Sequence, residues 1–273
     1  MAPDTSHQSI LQSAADLVRS GQEFVLITVV AAKGSTPRNP GARMIWRPTS
    51  DQQSTHGSGA PNGTIGTVGG GHFEHLVLDA ARACAAKRAS TFEHFVLGSD
   101  ADQCCGGTMD VFLEYHGRPV RVVLFGAGHV SASLCGVLGF SSLRITVVDD
   151  RPDWNSESRF PGARCLHSWP EGVAAVRENP EGTMIIVMTC SHETDFELLR
   201  ELLRTPPAFT GLIGSRSKRA CLFSRLTGAG VDADAVARVE CPVGVGDTGK
   251  EPAAVAISMA AQLLIKARTL AAR

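Results

Sequence analysis

The sequence has no excess of charge of either sign. Its 26 lysines and arginines nearly balance 27 aspartates and glutamates, so no overall field would attract nucleic acid or an anionic membrane. Long hydrophobic runs are also absent, because the longest, 24–32 and 253–265, contain polar residues and are too short to span a bilayer. We therefore expect no nucleic-acid partner and no membrane partner, and any bound anion must be held by local groups.

Two other patterns are missing. The N-terminus, MAPDTSHQSILQ, has no basic region followed by an apolar core, so no signal peptide is predicted. The eight cysteines are scattered and form neither a small disulfide framework nor a paired Cys-x-x-Cys zinc motif. Reduced thiols and a cytoplasmic location are expected. The hydrophobic content of 43% is enough for the core of one large domain or of two moderate ones.

The most informative stretch is 121–150, RVVLFGAGHVSASLCGVLGFSSLRITVVDD. It predicts a strand, a glycine turn, a helix and a second strand that ends at an acid. In such a unit Gly126 permits a tight turn, Gly128 lets backbone N–H groups approach a pyrophosphate, and Asp149 would bind ribose hydroxyls. Ser131, which is still small, stands at the usual third glycine position. The alternative is that the stretch merely begins a parallel sheet and binds no nucleotide.

Two glycine-bearing loops of the N-terminal half carry candidate anion-binding groups. Arg38 lies between two prolines that stiffen the backbone and could aim its guanidinium at phosphate or carboxylate, the alternative being a solvated loop arginine. Gly69, Gly70 and Gly71 precede a predicted helix and would expose N–H groups to an anion. Glu74 is then either a ligand or acid-base group, or a first-turn carboxylate that complements the helix dipole.

A third loop contains the adjacent Cys104 and Cys105, followed by two glycines. Exposed N–H dipoles beside a thiol favour the thiolate, which would make Cys105 a soft metal ligand or a sulfur acceptor. Burial as small hydrophobic residues is the alternative. Residues 48–63 are polar and without periodicity, and a mobile insertion is predicted there.

The pattern changes near residue 118. Strands and glycine loops alternate before it, whereas strands and helices alternate after it. The sequence therefore predicts an α/β protein with a small N-terminal α/β domain over 1–116 and a Rossmann-like domain with a parallel sheet over 120–273.

Polar side chains follow two predicted strands of the second domain. His192 and Asp195 follow one strand, and Arg216 and Lys218 follow the next. Ligands of open parallel sheets bind at the carboxyl ends of strands, so a site is expected there, and the cations suit phosphate. The alternatives are a helix cap with an incidental histidine, and basic residues on an exposed helix.

Eight motifs, taken in order, resemble those of the XdhC/CoxI-type accessory proteins of xanthine dehydrogenase and related molybdenum hydroxylases. They run through nearly the whole chain: GSTPRNPGARM, GTVGGGHFE, DQCCGG, FGAGHVS, VVDDR, TCSHETD, LIGSRSKR and CPVGVGDTGKEPAAVAISMAAQLL. The resemblance implies a small N-terminal α/β domain followed by a Rossmann domain, often in a homodimer. It also implies an accessory factor rather than an enzyme.

The function that the resemblance implies is that of a chaperone for the molybdenum cofactor (molybdopterin). Such a protein holds the cofactor, protects it while a cysteine desulfurase supplies the terminal sulfido ligand, and inserts it into apo xanthine dehydrogenase or a related molybdenum hydroxylase. Cys105 matches the family's CGG cysteine and is the expected metal ligand, in a cofactor cleft hypothesised between the two domains. The expected cofactor-binding residues are Arg38, Gly69, Gly70, Gly71, Glu74, Cys105, Gly126, Gly128, His129, Asp149, Arg151, His192, Asp195, Arg216 and Lys218.

Two other classes of function stay open on the sequence. An NAD(P)-dependent oxidoreductase would use the same glycine turn, with Asp149 on the ribose and His192 as the acid-base group. A nucleotidyltransferase that makes the dinucleotide form of molybdopterin would need a triphosphate and magnesium. A nucleotide or NAD(P) at the Rossmann turn is compatible with the first of these and with the chaperone.

Overall fold

A computed structural model describes residues 7–48, 63–98 and 106–271 of the chain. The chain divides into two compact units, Met1–Arg118 and Pro119–Arg273. The insertion predicted at 48–63 falls almost wholly outside the described residues.

In the described residues, the first unit contains a five-stranded antiparallel sheet and two helices. The elements are α1 (His7–Ser20), β1 (Phe24–Lys33), β2 (Arg43–Trp46), β3 (Thr64–Gly66), α2 (Gly71–Lys87), β4 (Thr91–Val96) and β5 (Thr108–His116). The strand order is β3-β2-β1-β5-β4, with the long strands β1 and β5 at the centre.

Alternation along β1 separates the two faces of this sheet. Val25, Ile27 and Val29 are buried on the face that α2 covers with Phe73 and Val77. The opposite face is partly covered by α1, whose Ile10, Ala14 and Leu17 pack against Phe24 and Ile45. Full burial of a Val, Leu, Ile or Phe side chain stabilises a fold by about 1.5–3 kcal/mol, so the helices are held mainly by the larger residues of their apolar stripes.

The second unit contains a five-stranded parallel sheet covered by helices. The elements are β6 (Arg121–Phe125), α3 (His129–Leu138), β7 (Arg144–Val148), β8 (Arg164–Leu166), α4 (Trp169–Arg177), β9 (Thr183–Val187), α5 (His192–Leu202), β10 (Phe209–Leu212), α6 (Arg216–Gly228), α7 (Ala233–Ala237) and α8 (Pro252–Ala271). The strand order β10-β9-β6-β7-β8 places the reversal of winding between β6 and β9, which is the usual ligand position in such sheets. The structure confirms the predicted fold class.

Both faces of the parallel sheet are buried. Val122 and Leu124 of β6 pack with α3 and α8, whereas Val123 and Phe125 pack with the helices of the other face. This two-sided burial explains why the strands read as continuous apolar runs.

Helix α8 is the one helix, within the described ranges, that is long and apolar enough to cross a membrane by length and composition. The sequence analysis excluded a membrane span because the apolar run 253–265 is too short. Helix α8 is longer than this run, so the absence of a membrane span stays a prediction. Its Met259 and Leu263 are fully buried in the core shared with α3 and the sheet. A core helix passes the same test of length and composition.

Helix α8 also fixes the glycine-rich segment before it. Ser258 donates to the carbonyl of Gly246 at 3.0 Å, and Gln262 accepts from the backbone N–H of Gly244 at 2.6 Å. A Cβ at Gly244, whose φ is +128°, would lie 2.6 Å from the Ser258 hydroxyl oxygen. The last sequence motif therefore builds a loop and the helix face that holds it.

Candidate functional site

In the first unit, three of the predicted loops converge. A Cβ on Gly69 would lie 2.7 Å from the ring of Pro37, so the triple glycine packs closely against the loop that contains Arg38. A Cβ on Gly107 would lie 2.5 Å from the carbonyl oxygen of Ser35, and Gly107 also closely approaches Gly34. Side chains at these glycines would force the loops apart, which explains the glycine richness of the segments.

The Glu74 carboxylate lies at the N-terminus of α2. It accepts from the backbone N–H of Gly70 at 3.0 Å and from the hydroxyl of Thr67. Gly70 and Gly71 have φ values of +71° and +59°, which glycine adopts readily. The geometry of Glu74 therefore fits the second role predicted for it, that of a first-turn carboxylate that complements the helix dipole. Its hydrogen bonds also hold the glycine turn.

Arg38 is exposed on the neighbouring loop. Its carbonyl accepts from the hydroxyl of Thr36 at 3.3 Å. Its guanidinium has no hydrogen-bond or ion-pair partner among the described residues, so its five donors face solvent. Cys104 and Cys105 lie outside the described residues, which resume at Gly106.

In the second unit, the carboxyl ends of the central strands are level. Phe125 pairs with Val148 of β7 and with Val187 of β9, and Val187 pairs with Leu212 of β10. We call the residues that directly follow these four strands the carboxyl rim. Candidate residues 126–129, 149–151, 192–195 and 216–218 are all at or next to this rim.

The glycine turn at the rim is tightly constrained. Gly126 has a φ of +115°, and a Cβ there would lie 2.5 Å from the carbonyl oxygen of Met188. Gly128 precedes α3 with open space around it, and none of the described side chains caps this helix. Ser131 is fully buried and donates to the carbonyl of Gly126, which explains why a serine occupies the third glycine position.

The Asp149 carboxylate faces inward and is held by the chain itself. It accepts from the backbone N–H of Ala127 at 2.7 Å and forms a bidentate pair with Arg151, with distances of 2.8 and 2.7 Å. Asp149 is 1% exposed. Burial tends to raise its pKa, but the hydrogen bonds from Arg151 and Ala127 outweigh burial and lower the pKa below its ordinary value. Asp149 therefore locks the glycine turn to the end of β7.

A stack of side chains lies beside this lock. Trp154 has the guanidinium carbon of Arg151 5.0 Å from its ring centroid and that of Arg159 at 4.5 Å. His129, the first residue of α3, packs edge to face on the same indole at 5.5 Å. We call Arg151, Trp154, Arg159 and His129 the Trp154 cluster. It connects the segment after β7 with the glycine turn.

On the other side of the rim, Asp195 and Lys218 form a buried pair. The Lys218 ammonium donates to Asp195 at 2.5 Å and to the carbonyl of Ile213 at 3.0 Å. The second carboxylate oxygen accepts from the hydroxyl and the backbone N–H of Thr189, at 2.7 and 3.1 Å. Asp195 is fully buried and the Lys218 side chain is 13% exposed. The pair ties the starts of α5 and α6 to the ends of β9 and β10.

His192 and Arg216 begin α5 and α6. Both are exposed, and neither side chain has a partner among the residues that the structure describes. The caps are supplied by Ser191, which accepts from the backbone N–H of Thr194, and by Ser215, which accepts from that of Lys218. Both side chains are thus free to meet a ligand at the rim.

A groove of about 390 Å³ lies between α4 and α5. Its lining includes Trp169 and Arg177 of α4 and Thr194 and Glu201 of α5. It includes none of the candidate residues, so the chemistry of the rim does not extend into it. Within the described ranges no group of three or more His, Cys, Asp or Glu side chains could hold a metal ion.

Sequence reasoning missed the contributions of Trp154, Arg159, Thr67 and Thr189. Trp154 and Arg159 lie in the segment after β7, where an arginine and a tryptophan follow Arg151 closely enough to suggest a cation–aromatic cluster. Thr67 and Thr189 each lie just after a strand and before a helix, where a hydroxyl can hydrogen-bond a nearby acid.

The parallel sheet, the glycine turn and the strand-end acid define a Rossmann-type domain. The XdhC Rossmann domain matches residues 122–263, and the XdhC and CoxI family matches residues 17–96. The chain belongs to the XdhC/CoxI family.

The chain is similar to proteins of two bacteria. It is 31% identical over 263 residues to the uncharacterized protein YqeB of Escherichia coli (strain K12). The matched region covers 94% of this chain and 46% of YqeB. The chain thus spans about half the length of this curated relative. A crystal structure described as a xanthine dehydrogenase from Bacillus halodurans is 19% identical, with a TM-score of 0.48, over 97% of this chain and 96% of that chain.

Proposed function

We propose that the chain is an accessory protein in the maturation of a molybdenum hydroxylase such as xanthine dehydrogenase. In this role it binds the molybdenum cofactor, protects it, supports its sulfuration and inserts it into the apo-enzyme. The observation that carries the proposal is the convergence of the Arg38 loop, the triple glycine and Gly107 in a chain whose family includes XdhC.

The residues of the first unit fit a phosphorylated, sulfur-ligated cofactor. Arg38 offers a guanidinium that has no partner among the described residues, and its planar fork suits phosphate. Glu74 keeps the neighbouring glycine turn in shape through its bond to Gly70. Cys105 directly precedes the converging glycines in sequence and is the proposed thiolate ligand, because soft thiolates suit metals of this kind. When bound, the cofactor supplies a molybdenum centre that is prepared for a later enzyme.

The residues of the second unit fit an anionic group at the glycine turn. No described side chain caps helix α3, so we expect its first N–H groups to be available to a phosphate or nucleotide. His129, His192 and Arg216 are exposed at the rim. The proposed ligand there is the phosphate end of molybdopterin, in its mononucleotide or dinucleotide form, or a separate nucleotide.

The lock at Asp149 disfavours the NAD-dependent oxidoreductase. That alternative needs a carboxylate with free oxygens for the two hydroxyls of a ribose. Both oxygens of Asp149 instead accept from Arg151, and one of them also accepts from Ala127. A protein that holds a phosphorylated ligand without nicotinamide turnover fits this arrangement better.

The proposal includes partners and a location. They are apo xanthine dehydrogenase or a related molybdenum hydroxylase, a cysteine desulfurase, and a second copy of the chain in a homodimer. The proposed site of action is the cytoplasm, where the thiols stay reduced. The protein is proposed to carry the cofactor without catalysing a reaction of its own.

Co-expression with a molybdenum-cofactor pathway tests the proposal. The full chain is purified without oxygen, and molybdenum and pterin per chain are measured beside activation of apo xanthine dehydrogenase. We expect both to be retained by the parent chain and mostly lost from Cys105→Ala. The matched control is Cys221→Ala, which removes an exposed thiol on α6 and should change neither quantity.

One outcome contradicts the chaperone role, and a second contradicts only the role of Cys105. A parent chain that carries neither molybdenum nor pterin is not a cofactor chaperone, and bound nicotinamide in their place would favour the oxidoreductase. Retention and activation that are unchanged in Cys105→Ala would remove this thiol from the mechanism while leaving the chaperone role intact.

A further inference from the structure

Arg159 has no paired acid in the part of the chain that the structure describes. Its guanidinium carbon lies 4.5 Å from the ring centroid of Trp154 and 5.9 Å from that of Phe160. Its Nε is shielded from solvent and has no acceptor within the described part of the chain, and no carboxylate of that part pairs with the side chain. A shielded charged donor that lacks an acceptor costs stability, and an anion that pairs with the terminal nitrogens of the same guanidinium would offset that cost.

The position of Arg159 follows from the contacts of Trp154. The same indole contacts His129, which begins α3 directly after Gly128, and Arg151, which holds Asp149. Arg159 is therefore one ring away both from the glycine turn and from the end of β7. In Rossmann domains this corner receives the ribose at the far end of a dinucleotide.

Two positive groups share the Trp154 ring, but of the two only Arg151 pairs with an acid among the described residues. Arg151 uses Nε and one terminal nitrogen for Asp149, which leaves its other terminal nitrogen available. The neighbouring Asp150 accepts from the indole N–H of Trp169 at 3.1 Å instead of pairing with an arginine. The guanidinium groups of Arg159 and Arg151 therefore offer hydrogen-bond donors. Asp149, the acid that would accept from a ribose diol, already accepts from Arg151 and Ala127.

We propose that this corner binds a phosphomonoester of the ligand, with Arg159 as the main contact and Arg151 as the second, and that it discriminates against an unphosphorylated ribose diol. The phosphomonoester has two sources: the 2′-phosphate of a dinucleotide or the phosphate of a pterin. The pterin source rests on the proposed function, whereas the nucleotide source does not. Trp154 acts as a positioning residue, because its ring holds both guanidinium groups.

The nucleotide source is tested by calorimetric titration of the purified chain with NADP⁺ and NAD⁺, which differ only in the 2′-phosphate. If this source applies, NADP⁺ binds at least tenfold more tightly than NAD⁺. Arg159→Gln then removes most of that preference and leaves NAD⁺ binding unchanged, whereas Arg159→Lys, which keeps the charge and loses the fork, retains part of it. Arg164→Gln, at an exposed arginine that begins β8, is the matched control and should leave the ratio unchanged.

The pterin source is tested by pterin content after co-expression with the cofactor pathway. If this source applies, the two nicotinamide nucleotides do not bind, and Arg159→Gln loses most of the pterin that the parent chain and Arg164→Gln retain. Circular dichroism of each variant checks that the fold is kept, and Arg159→Lys supplies a folded variant if Arg159→Gln is unstable.

The proposal is overturned if NAD⁺ binds as tightly as NADP⁺, or if Arg159→Gln changes neither the NADP⁺ preference nor the pterin content. Failure of the proposed function gives a different result. A chain without pterin that still prefers NADP⁺ through Arg159 would end the chaperone proposal and keep the phosphomonoester site.

Discussion

Neutralising Asp195 should destabilise the second unit far more than neutralising a neighbouring acid on the same helix. Asp195 pairs with Lys218 at 2.5 Å, with side-chain exposures of 0% and 13%. Glu193 pairs with Arg225 of the same helix α6 at 2.8 Å, but these side chains are 64% and 42% exposed. Both acids lie in the first turn of α5, so the effect of the helix dipole is similar in Asp195→Asn and Glu193→Gln.

The expected magnitudes follow from burial. Asp195→Asn leaves the Lys218 ammonium largely buried without its counter-charge, and breaking a buried pair in this way costs about 3–5 kcal/mol. We expect about 3 kcal/mol, since Lys218 also keeps its bond to the carbonyl of Ile213. Glu193→Gln removes a solvent-screened pair and should cost about 1 kcal/mol or less.

Urea unfolding followed by tryptophan fluorescence measures the difference. A Trp46→Phe background leaves Trp154 and Trp169 as reporters, both of which lie in the second unit. With a slope near 2 kcal/mol per molar urea, Asp195→Asn should lower the midpoint by about 1.5 M and Glu193→Gln by about 0.5 M or less.

A double-mutant cycle isolates the pair from other effects of each substitution. Lys218→Met alone strands the buried carboxylate, which retains only the donors of Thr189. The double variant Asp195→Asn/Lys218→Met should be more stable than the sum of the two single losses predicts. Equal midpoints for Asp195→Asn and Glu193→Gln, or additive losses in the cycle, would refute the view that this pair is a structural lock.

Three further predictions concern the same unit. Gly126→Ala should cost at least about 2 kcal/mol or prevent soluble expression, because the φ of +115° and the approach to Met188 leave no room for a Cβ. Gly128→Ala should keep the fold, because there is open space around Gly128. Equal stabilities of the two variants in urea would contradict this. Because the folded-state pKa of Asp149 is lowered, its carboxylate stabilises the fold above the ordinary aspartate pKa, and this stability is lost as the pH falls below that value. Asp149→Asn should remove this part of the pH dependence of the free energy of unfolding. An unchanged pH dependence would count against the assignment. Burial raises the pKa of Cys135 to about 12, so iodoacetamide should label the exposed Cys190 much faster than Cys135 in the native protein. Comparable labelling rates of the two thiols by mass spectrometry would refute the burial of Cys135.

The secondary structure of the chain was largely predictable because most elements carry their own local signals. The apolar runs that predicted strands became β1, β6, β7, β9 and β10, within a few residues at each end. Helix α4 begins at Trp169 and carries clear local signals. Ser168 caps it by accepting from the backbone N–H of Glu171, and Pro170 is tolerated in the first turn, where no N–H is needed.

The strand order of the first unit was not predictable from the sequence. Its central strands β1 and β5 pair over residues separated by about eighty positions, and no local pattern specifies such a partner. The parallel sheet was easier, because a strand, a helix and a parallel strand connect in one favoured handedness and leave few topologies to choose from.

The sequence indicated which loops carry acids and cations, but not the state of these groups. The sequence placed acids and cations at the loops that the structure brings together, since glycines and strand ends mark such loops. It could not show that Glu74, Asp149 and Asp195 each accept hydrogen bonds from the chain's own backbone N–H groups and from a neighbouring hydroxyl or cation. These bonds depend on distances between segments, which the sequence does not encode locally.

This division between acids and cations determines which ligand the loops can accept. The three acids hold the two glycine turns and the helix starts in shape, and their negative charges are already balanced by N–H groups, Arg151 or Lys218. Arg38, His192 and Arg216 are exposed and lack partners among the described residues, and Arg159 lacks an acid. A ligand that needs acceptors, such as a ribose diol or a hydrated cation, meets few free ones here, whereas a phosphorylated ligand meets open donors in each unit. Because the acids are already paired and these cations are not, we expect the loops to prefer anions over cations.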